Sequence, residues 1–343
     1  AQMHIYVDGP WAAVRGSQHE AETKLVTMTV AWMALGFPLA FKKAMLGSTV
    51  TWTGIELSLD SKGVTAKIMP EKTEEINLMT ADFLKSNVIP KTKLRTYTGK
   101  LESMASLLYA LRPFVSPLWA ALYADPGGAP PNCIWASMIK PALYWFFVFF
   151  GSSPRVLTRR FALESHLNRG VLIMFTTDAS PWGIGGFFSQ GSYIIAYFYD
   201  VISKHDQEIL DCTAGDSKGQ QVFECLATLV ALRLWKAFWH SRRVRLMVRA
   251  DNVTTLTLVR KLRVKGPALT KIAQEMALDV AWSTYEPDIL EHTPGCQNVL
   301  ADLLSRIHEP GTKLTLPSYL KKADRYYPPA RSRQWWRTLS AQP

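Results

Sequence analysis

Apolar and polar positions change rhythm along this chain near residue 168. Ahead of that point, His4-Ile5-Tyr6-Val7 is β-prone and Glu20 to Leu35 carries helix formers. Thr49 to Leu59 (TVTWTGIELSL) alternates with period two and ends at the turn signal Asp60-Ser61-Lys62-Gly63. Residues 64 to 125 read as mostly helical, with breaks at Pro70, Pro90, Pro113 and Pro117, and Asp125 to Pro131 (DPGGAPP) is the sharpest loop signal. Residues 132 to 165 are apolar, then basic at Arg155, Arg159 and Arg160. The run Ala142 to Phe150 within them is too short to span a bilayer as a helix and reads as a buried segment.

After residue 168 the pattern becomes that of a sheet with helices against it. Val171 to Thr177 (VLIMFTT) predicts a buried strand, with Gly183 to Ser189 and Tyr193 to Tyr199 as its hairpin partners. Gln220 to His240 predicts a long apolar helix and Val244 to Ala250 a strand. Asn252 to Leu262 and Pro267 to Val280 predict helices, Trp282 to Glu291 a further strand, and Asn298 to Ile307 a last helix. This order predicts an α/β domain with a mixed sheet. The predicted divisions are 1–60, 61–165, 166–307 and a basic Pro- and Trp-containing tail at 308–343.

Composition narrows the class. A chain of 343 residues is long for one domain and predicts two or three; 48% hydrophobic and 20% charged residues exclude wholesale disorder. The net charge of +11 favours a polyanionic partner such as nucleic acid, with a basic protein of unrelated function as the alternative. Cys133, Cys212, Cys225 and Cys296 form no CxxC pair, which argues against a zinc knuckle or disulfide framework and fits a reducing compartment. No signal peptide is evident, and the chain opens directly on structured-looking sequence, as a piece of a longer protein would.

Four carboxylates fall where charge is costly. Asp178 ends the strand LIMFTT, Asp251 closes the strand VRLMVRA, and Glu224 is the only charged residue between Gly219 and Leu232 on an apolar helix. Asp302 lies on the last helix. Each has a purely structural alternative: Asp178 and Asp251 as caps, Glu224 paired with an arginine, and Asp302 solvated opposite the stripe Leu300, Leu303, Leu304 and Ile307, together with Asn298. Periodicity alone does not make them converge. Convergence has a chemical motive, because hard Mg²⁺ takes oxygen ligands and a two-metal site needs three or four acids from several elements.

The motifs themselves resemble a known family, the ribonuclease H domain of retroelement reverse transcriptases. Thr177-Asp178-Ala179-Ser180-Pro181-Trp182-Gly183-Ile184-Gly185-Gly186 resembles the TDAS-x-x-G-x-G opening of that domain. Glu291 to Arg306 (EHTPGCQNVLADLLSR) resembles its H-x-P-G-x-x-N-x-x-A-D-x-L-S-R ending, Asp251-Asn252 its D-N after the fourth strand, and Glu224 the acid of its first long helix. The resemblance covers about 168 to 307 and implies a five-stranded mixed sheet flanked by helices. It implies that Asp178, Glu224, Asp251 and Asp302 bind two Mg²⁺ ions (Mn²⁺ as the substitute) and cut the RNA strand of RNA/DNA hybrids. His292 would lie on a mobile loop and help product departure or proton movement. Ser180, Asn252, Asn298 and Arg249 would contact substrate or support the site. The segment Ser203 to Gln221 is longer and more polar than the family's.

By the same resemblance, residues 1–60 are a palm remnant of a reverse transcriptase and 61–165 a mostly helical thumb or connection region. Tyr6-Val7-Asp8-Gly9 resembles the YVDD box, Trp52-Thr53-Gly54-Ile55 the primer-gripping hairpin, and Pro70-Glu71-Lys72 and Gly99-Lys100-Leu101 the thumb. Gly9 replaces the second aspartate and the earlier palm acid lies ahead of this chain, so DNA synthesis is expected to be absent. Implied partners are an RNA/DNA hybrid and the rest of a retroelement polyprotein, in the cytoplasm or nucleus, with no membrane. Arg242, Arg243, Arg245 and Arg249, then Arg260, Lys261, Arg263 and Lys265, suit phosphate tracking, and Trp335, Trp336 and Arg337 base stacking; solvated faces and a disordered tail are the alternatives. A non-catalytic nucleic-acid-binding remnant, or a fragment with no remaining activity, are the competing functional readings.

Overall fold

A computed structural model of the chain describes residues 2–6, 9–14, 16–52, 54–125, 127–151, 157–167, 169–239, 244–281 and 287–340. The chain divides into two compact units. The first comprises residues 1–73 and 157–163, and the second takes the rest, so residues 74–156 join the second unit.

In the first unit, Gln2–Tyr6 and Gly9–Ala13 form a hairpin in which Tyr6 pairs with Gly9. Val7 and Asp8 of the YVDG box lie outside the described residues. The helix Gln18–Ala34 starts at a capping box, Ser17 and Glu20 satisfying each other's backbone N–H groups. Thr49–Trp52, Ile55–Asp60, Gly63–Ile68 and Thr158–Ala162 form a four-stranded antiparallel sheet in that order. The predicted turn forms at Asp60–Gly63: the Asp60 carboxylate accepts the Lys62 N–H, and Gly63, at φ +146°, sits where a methyl group would strike the Phe161 carbonyl.

In the second unit, helices α1 (Lys91–Leu107), α2 (Arg112–Tyr123) and α3 (Lys140–Gly151) pack through Tyr97, Phe114, Phe146 and Phe150. The apolar segment Ala142 to Phe150, predicted as buried, is the body of α3 and is buried only in part: Ala142, Leu143, Phe146, Phe149 and Phe150 are buried, whereas Tyr144, Phe147 and Val148 are exposed. The sheet follows: β1 (Val171–Ala179), β2 (Gly183–Gln190), β3 (Tyr193–Val201), α4 (Lys204–Leu210), α5 (Gln220–Leu234), β4 (Val244–Ala250), α6 (Val253–Lys261), α7 (Pro267–Ala281), β5 (Pro287–His292), α8 (Val299–Ser305) and the two-residue strand β6 (Asp324–Arg325). Its order is β5-β4-β1-β2-β3-β6. β1–β2–β3 run antiparallel, and β4, β5 and β6 pair parallel with their neighbours. The sheet is therefore mixed and flanked by helices. It has six strands among the described residues against the five expected, because β6 from the tail adds to β3.

Strand alternation gives each face its own core. Phe175, Phe188 and Phe198 point to the α5 side and pack on Trp235, with ring centroids 5.5–6.0 Å apart. Phe187, Tyr197 and Tyr199 point to the other side and pack with Leu304 of α8 and Leu320. The tail is folded over its described residues, 308–340: Trp336 is fully buried, and Arg331, 4% exposed, pairs with Asp206 at 2.7 Å and Asp200 at 2.6 Å. The polar segment Ser203–Gln221 holds α4, started by a Ser203–Asp206 capping box. Arg242 and Arg243, and the start of the expected Trp282–Glu291 strand, lie outside the described residues.

Candidate functional site

Two adjacent residues of β1 link the helices on either face to the strand. Thr177 points to the α5 face, where its hydroxyl meets that of Thr228 at 2.8 Å. Asp178 points to the opposite face, where its Oδ2 accepts from the Ser305 hydroxyl at 3.1 Å. Glu224 lies one turn before Thr228 on α5, so the threonine pair brings its carboxyl toward the end of β1. The β1–β4 register runs from Val171↔Val244 to Thr176↔Arg249; extended by two residues it sets Asp251 level with Asp178. Two parallel strands thus end together, each closing on an aspartate.

α8 reaches this point because β2 presents glycine, at positions 183 and 185, where the helix crosses it. Gly185 pairs with Asp178, and a methyl group on Gly185 would lie 2.6 Å from Leu304. At Gly183 it would lie 2.8 Å from the Ser305 carbonyl. The glycines of the GIGG segment therefore let α8 lie directly on the strand. Ser180 completes the junction: its hydroxyl donates to the Ser305 carbonyl at 2.8 Å and accepts from the N–H groups of Trp182 and Gly183.

Electrostatics couple the four acids. Burial pushes Asp178 up to about 7, assisted by the charges of Asp251, Asp302 and, least, Glu224. Burial likewise pushes Glu224 up to about 7, with Asp251 adding to it and hydrogen bonds from Asn252 and Gln220 opposing. Asp251 is raised by burial and by Asp302, against its own backbone hydrogen bond and the His292 charge. Asp251 is thus the member that acts on Asp178 and Glu224 and feels Asp302. Burial and mutual repulsion thus hold three of these carboxyls, Asp178, Glu224 and Asp251, above their ordinary range. Among the described residues, no group of three or more His, Cys, Asp or Glu stands close enough together to hold a metal ion. Two oxygens, Glu224 Oε2 and Asp251 Oδ1, are buried without a hydrogen-bond partner. Unpartnered carboxylate oxygens are the type of ligand that a hard divalent cation takes.

The remaining expected residues take specific places. Asn252 caps α6, its Oδ1 accepting the Thr254 N–H at 2.7 Å, and also bonds Glu224. His292 is exposed, and its Nε2–H donates to the Asp251 carbonyl at 2.9 Å. It is the last residue of β5, paired with Ala250, rather than a loop residue, because the Arg249–Glu291 and Ala250–His292 rungs extend the parallel ladder to that point. Asn298 is 3% exposed rather than on a solvated face; its Nδ2 donates to the Thr177 carbonyl at 3.5 Å. Ser180, expected to contact substrate or support the site, is fully buried and bonded within the protein. Arg249 is paired with Glu291 at 2.7 Å, and Asp302 with Arg306 at 2.7 Å. Trp336, expected at a base-stacking surface, is enclosed in the core.

Sequence reasoning assigned no role to Ser305, Thr228, Gln220 or the paired glycines. Ser305 lay within the recognised ending motif, three residues after Asp302, at helical spacing for the same face. The Thr177–Thr228 bond had no local signal, because its partners are 51 residues apart.

No protein-family model and no curated protein sequence matches the chain. Among solved structures it is similar to the foamy viral protease-reverse transcriptase dRH in complex with double-stranded DNA, at 17% identity and TM-score 0.36, over 85% of this chain and 46% of that one. It is similar to LC11-RNase H1, isolated from compost by a metagenomic approach, at 20% identity and TM-score 0.30, over 39% of this chain and 91% of that one. A second foamy viral protease-reverse transcriptase complex with dsDNA gives 16% identity and TM-score 0.33, over 85% and 55%. The chain thus spans about half the length of the foamy viral proteins it resembles. No helix among the described residues is long and apolar enough to cross a membrane.

Proposed function

We propose that the second unit is a ribonuclease H-type endonuclease that hydrolyses the RNA strand of RNA/DNA hybrids, within a retroelement reverse transcriptase that has lost polymerisation. The observation that carries this reading is the coupling of Asp178, Glu224, Asp251 and Asp302, drawn from β1, α5, the end of β4 and α8. The matching order of motifs supplies the substrate class.

Asp178, Glu224, Asp251 and Asp302 would hold Mg²⁺ through their carboxylate oxygens. Bound there, Mg²⁺ would supply charge to stabilise the phosphorane-like transition state and acidify a water. Asn252 and Gln220 orient Glu224, and Ser305 orients Asp178. His292, exposed and bonded through Nε2 to the Asp251 carbonyl, would exchange a proton with the leaving strand. For residues 1–60, glycine at position 9 removes a carboxylate that polymerisation requires.

One observation favours a second reading, a non-catalytic hybrid-binding remnant: Asp302 is engaged by Arg306. The two readings separate in a substrate panel. The nuclease reading expects cleavage of the RNA strand of an RNA/DNA hybrid in Mg²⁺, with RNA/RNA and DNA/DNA duplexes of the same sequence left intact. Equal cutting of all three, or binding of the hybrid without cutting, would exclude it.

A further inference from the structure

Helix α6 runs from the carboxylate cluster to a concave site. Its N-terminus is capped by Asn252, which also bonds Glu224. At its other end Leu262 turns the chain in the left-handed region, at φ 49°, and the loop 262–266 forms one wall of a cavity of ≈ 580 Å³. The opposite wall is α1 and α2, with Glu102, Arg112, Pro113, Ser116 and Trp119, and Thr270 and Ala273 of α7 contribute to the lining. The volume suits a small organic group.

The lining is chemically specific. Three cations, Arg112, Arg263 and Lys265, face one carboxylate, Glu102. Arg112 lies over the Tyr109 ring and donates to the carbonyls of Ala105 and Lys261, so it ties the two walls together. Arg263 is exposed and paired with Glu102. Lys265 is exposed beside Gly266, and no ion-pair partner for it occurs among the described residues. Trp119 is half-buried and lies nearly parallel to Tyr123, with 14° between the ring planes and centroids 6.5 Å apart. Guanidinium, ammonium and indole in one cleft match a phosphate joined to an aromatic base.

The spacing relates this cleft to the first site. α6 has nine residues and so is about 14 Å long at 1.5 Å per residue. A stacked strand advances about 3.4 Å per nucleotide, so the cleft lies roughly four nucleotides from the carboxylates.

We propose that this cleft is a flanking-nucleotide subsite, which takes one unpaired nucleotide of a single-stranded extension beside the hybrid. The base lies against Trp119 and the phosphate is held by Lys265 and Arg263. This rests on the nucleic-acid reading of the carboxylate site but not on cleavage there. Recognition by stacking is independent of base identity, so the subsite selects a frayed or single-stranded flank over a blunt end.

The test is fluorescence anisotropy of the full chain carrying Asp178→Asn, with a blunt RNA/DNA hybrid and with the same hybrid bearing an extension of about six nucleotides. The extension is expected to tighten binding at least roughly fivefold, the low end of one stacked base. Trp119→Ala and Lys265→Ala remove that gain, and Trp119→Ala leaves blunt-hybrid affinity unchanged. Lys265→Ala also makes the salt dependence shallower by about 0.7 in log–log slope. Trp119→Phe keeps most of the gain, which separates ring loss from misfolding, and Glu102→Gln increases it by releasing Arg263. No gain from the extension, or a gain that survives both alanine variants, overturns the proposal. If the wild type cuts no hybrid while the Trp119-dependent gain persists, the nuclease reading fails and the subsite stands.

Discussion

Replacing Asp178 with asparagine is expected to abolish cleavage and, in the absence of metal, to make the protein more stable. The folded chain holds this carboxyl at about 7 against an ordinary 3.8, first through burial and then through Asp251, Asp302 and Glu224. Below about pH 4 the group is protonated both folded and unfolded and has no effect on stability. Between about pH 4 and 7 the unfolded chain releases the proton while the folded chain retains it, so folding becomes less favourable as pH rises. Above about pH 7 the full penalty is present, up to ~4 kcal/mol. That is a large share of the ~5–15 kcal/mol by which domains are stable. Asparagine preserves the shape and can still bond the Ser305 hydroxyl, but carries no charge. Urea denaturation in EDTA at pH 8 is therefore expected to favour Asp178→Asn by a few kcal/mol, with a Tm several degrees higher. At pH 4 the two proteins converge. Mg²⁺ is expected to stabilise the wild type more than the variant. If Asp178→Asn is less stable than wild type at pH 8 in EDTA, by the same margin as at pH 4, the carboxyl is not under electrostatic strain and the reasoning fails.

Three further outcomes follow from the packing. Gly185→Ala sets a methyl group 2.6 Å from Leu304 and is expected to cost roughly 1–3 kcal/mol in urea denaturation while displacing α8 and lowering cleavage; wild-type stability would show that α8 does not rest on β2. Arg331→Leu leaves the fully buried Asp206 without its cation and is expected to cost roughly 3–5 kcal/mol; a loss under about 1 kcal/mol would show that the tail does not lock onto α4. Ser305→Ala removes a hydrogen bond that lowers the Asp178 pKa, so the acid limb of the pH–rate profile is expected to move to higher pH, and a move to lower pH would contradict that role.

Strand ends were the most legible part of the site. Asp178 and Asp251 each follow an apolar run, and β1 and β4 end at Ala179 and Ala250, so the runs located both acids. Glu224 was legible as a lone charge on an apolar helix, although α5 ends at Leu234 rather than His240 because the chain passes into a 3-10 turn that seats Trp239 in the core. Helical periodicity put Asn298 on a polar face, but it precedes α8 and turns inward to the Thr177 carbonyl. The strand position of His292 depends on a ladder with β4 that no local pattern encodes. The tail was least legible. Its arginines read as a basic surface, whereas Arg331 is a buried ion-pair partner of acids about 125–131 residues away. The glycines of GIGG were visible as a motif, but their purpose appears only when α8 is placed on them.

The central claim is that four carboxylates from separate elements act as one metal-dependent nuclease site. Its most direct test is cleavage of an end-labelled RNA strand in an RNA/DNA hybrid by the wild type in Mg²⁺, the wild type in EDTA and Asp178→Asn in Mg²⁺, with hybrid binding measured on the same samples. The account predicts cutting in the first sample alone and binding by all three. A folded wild type that binds the hybrid and leaves its RNA strand intact in both Mg²⁺ and Mn²⁺ would contradict it.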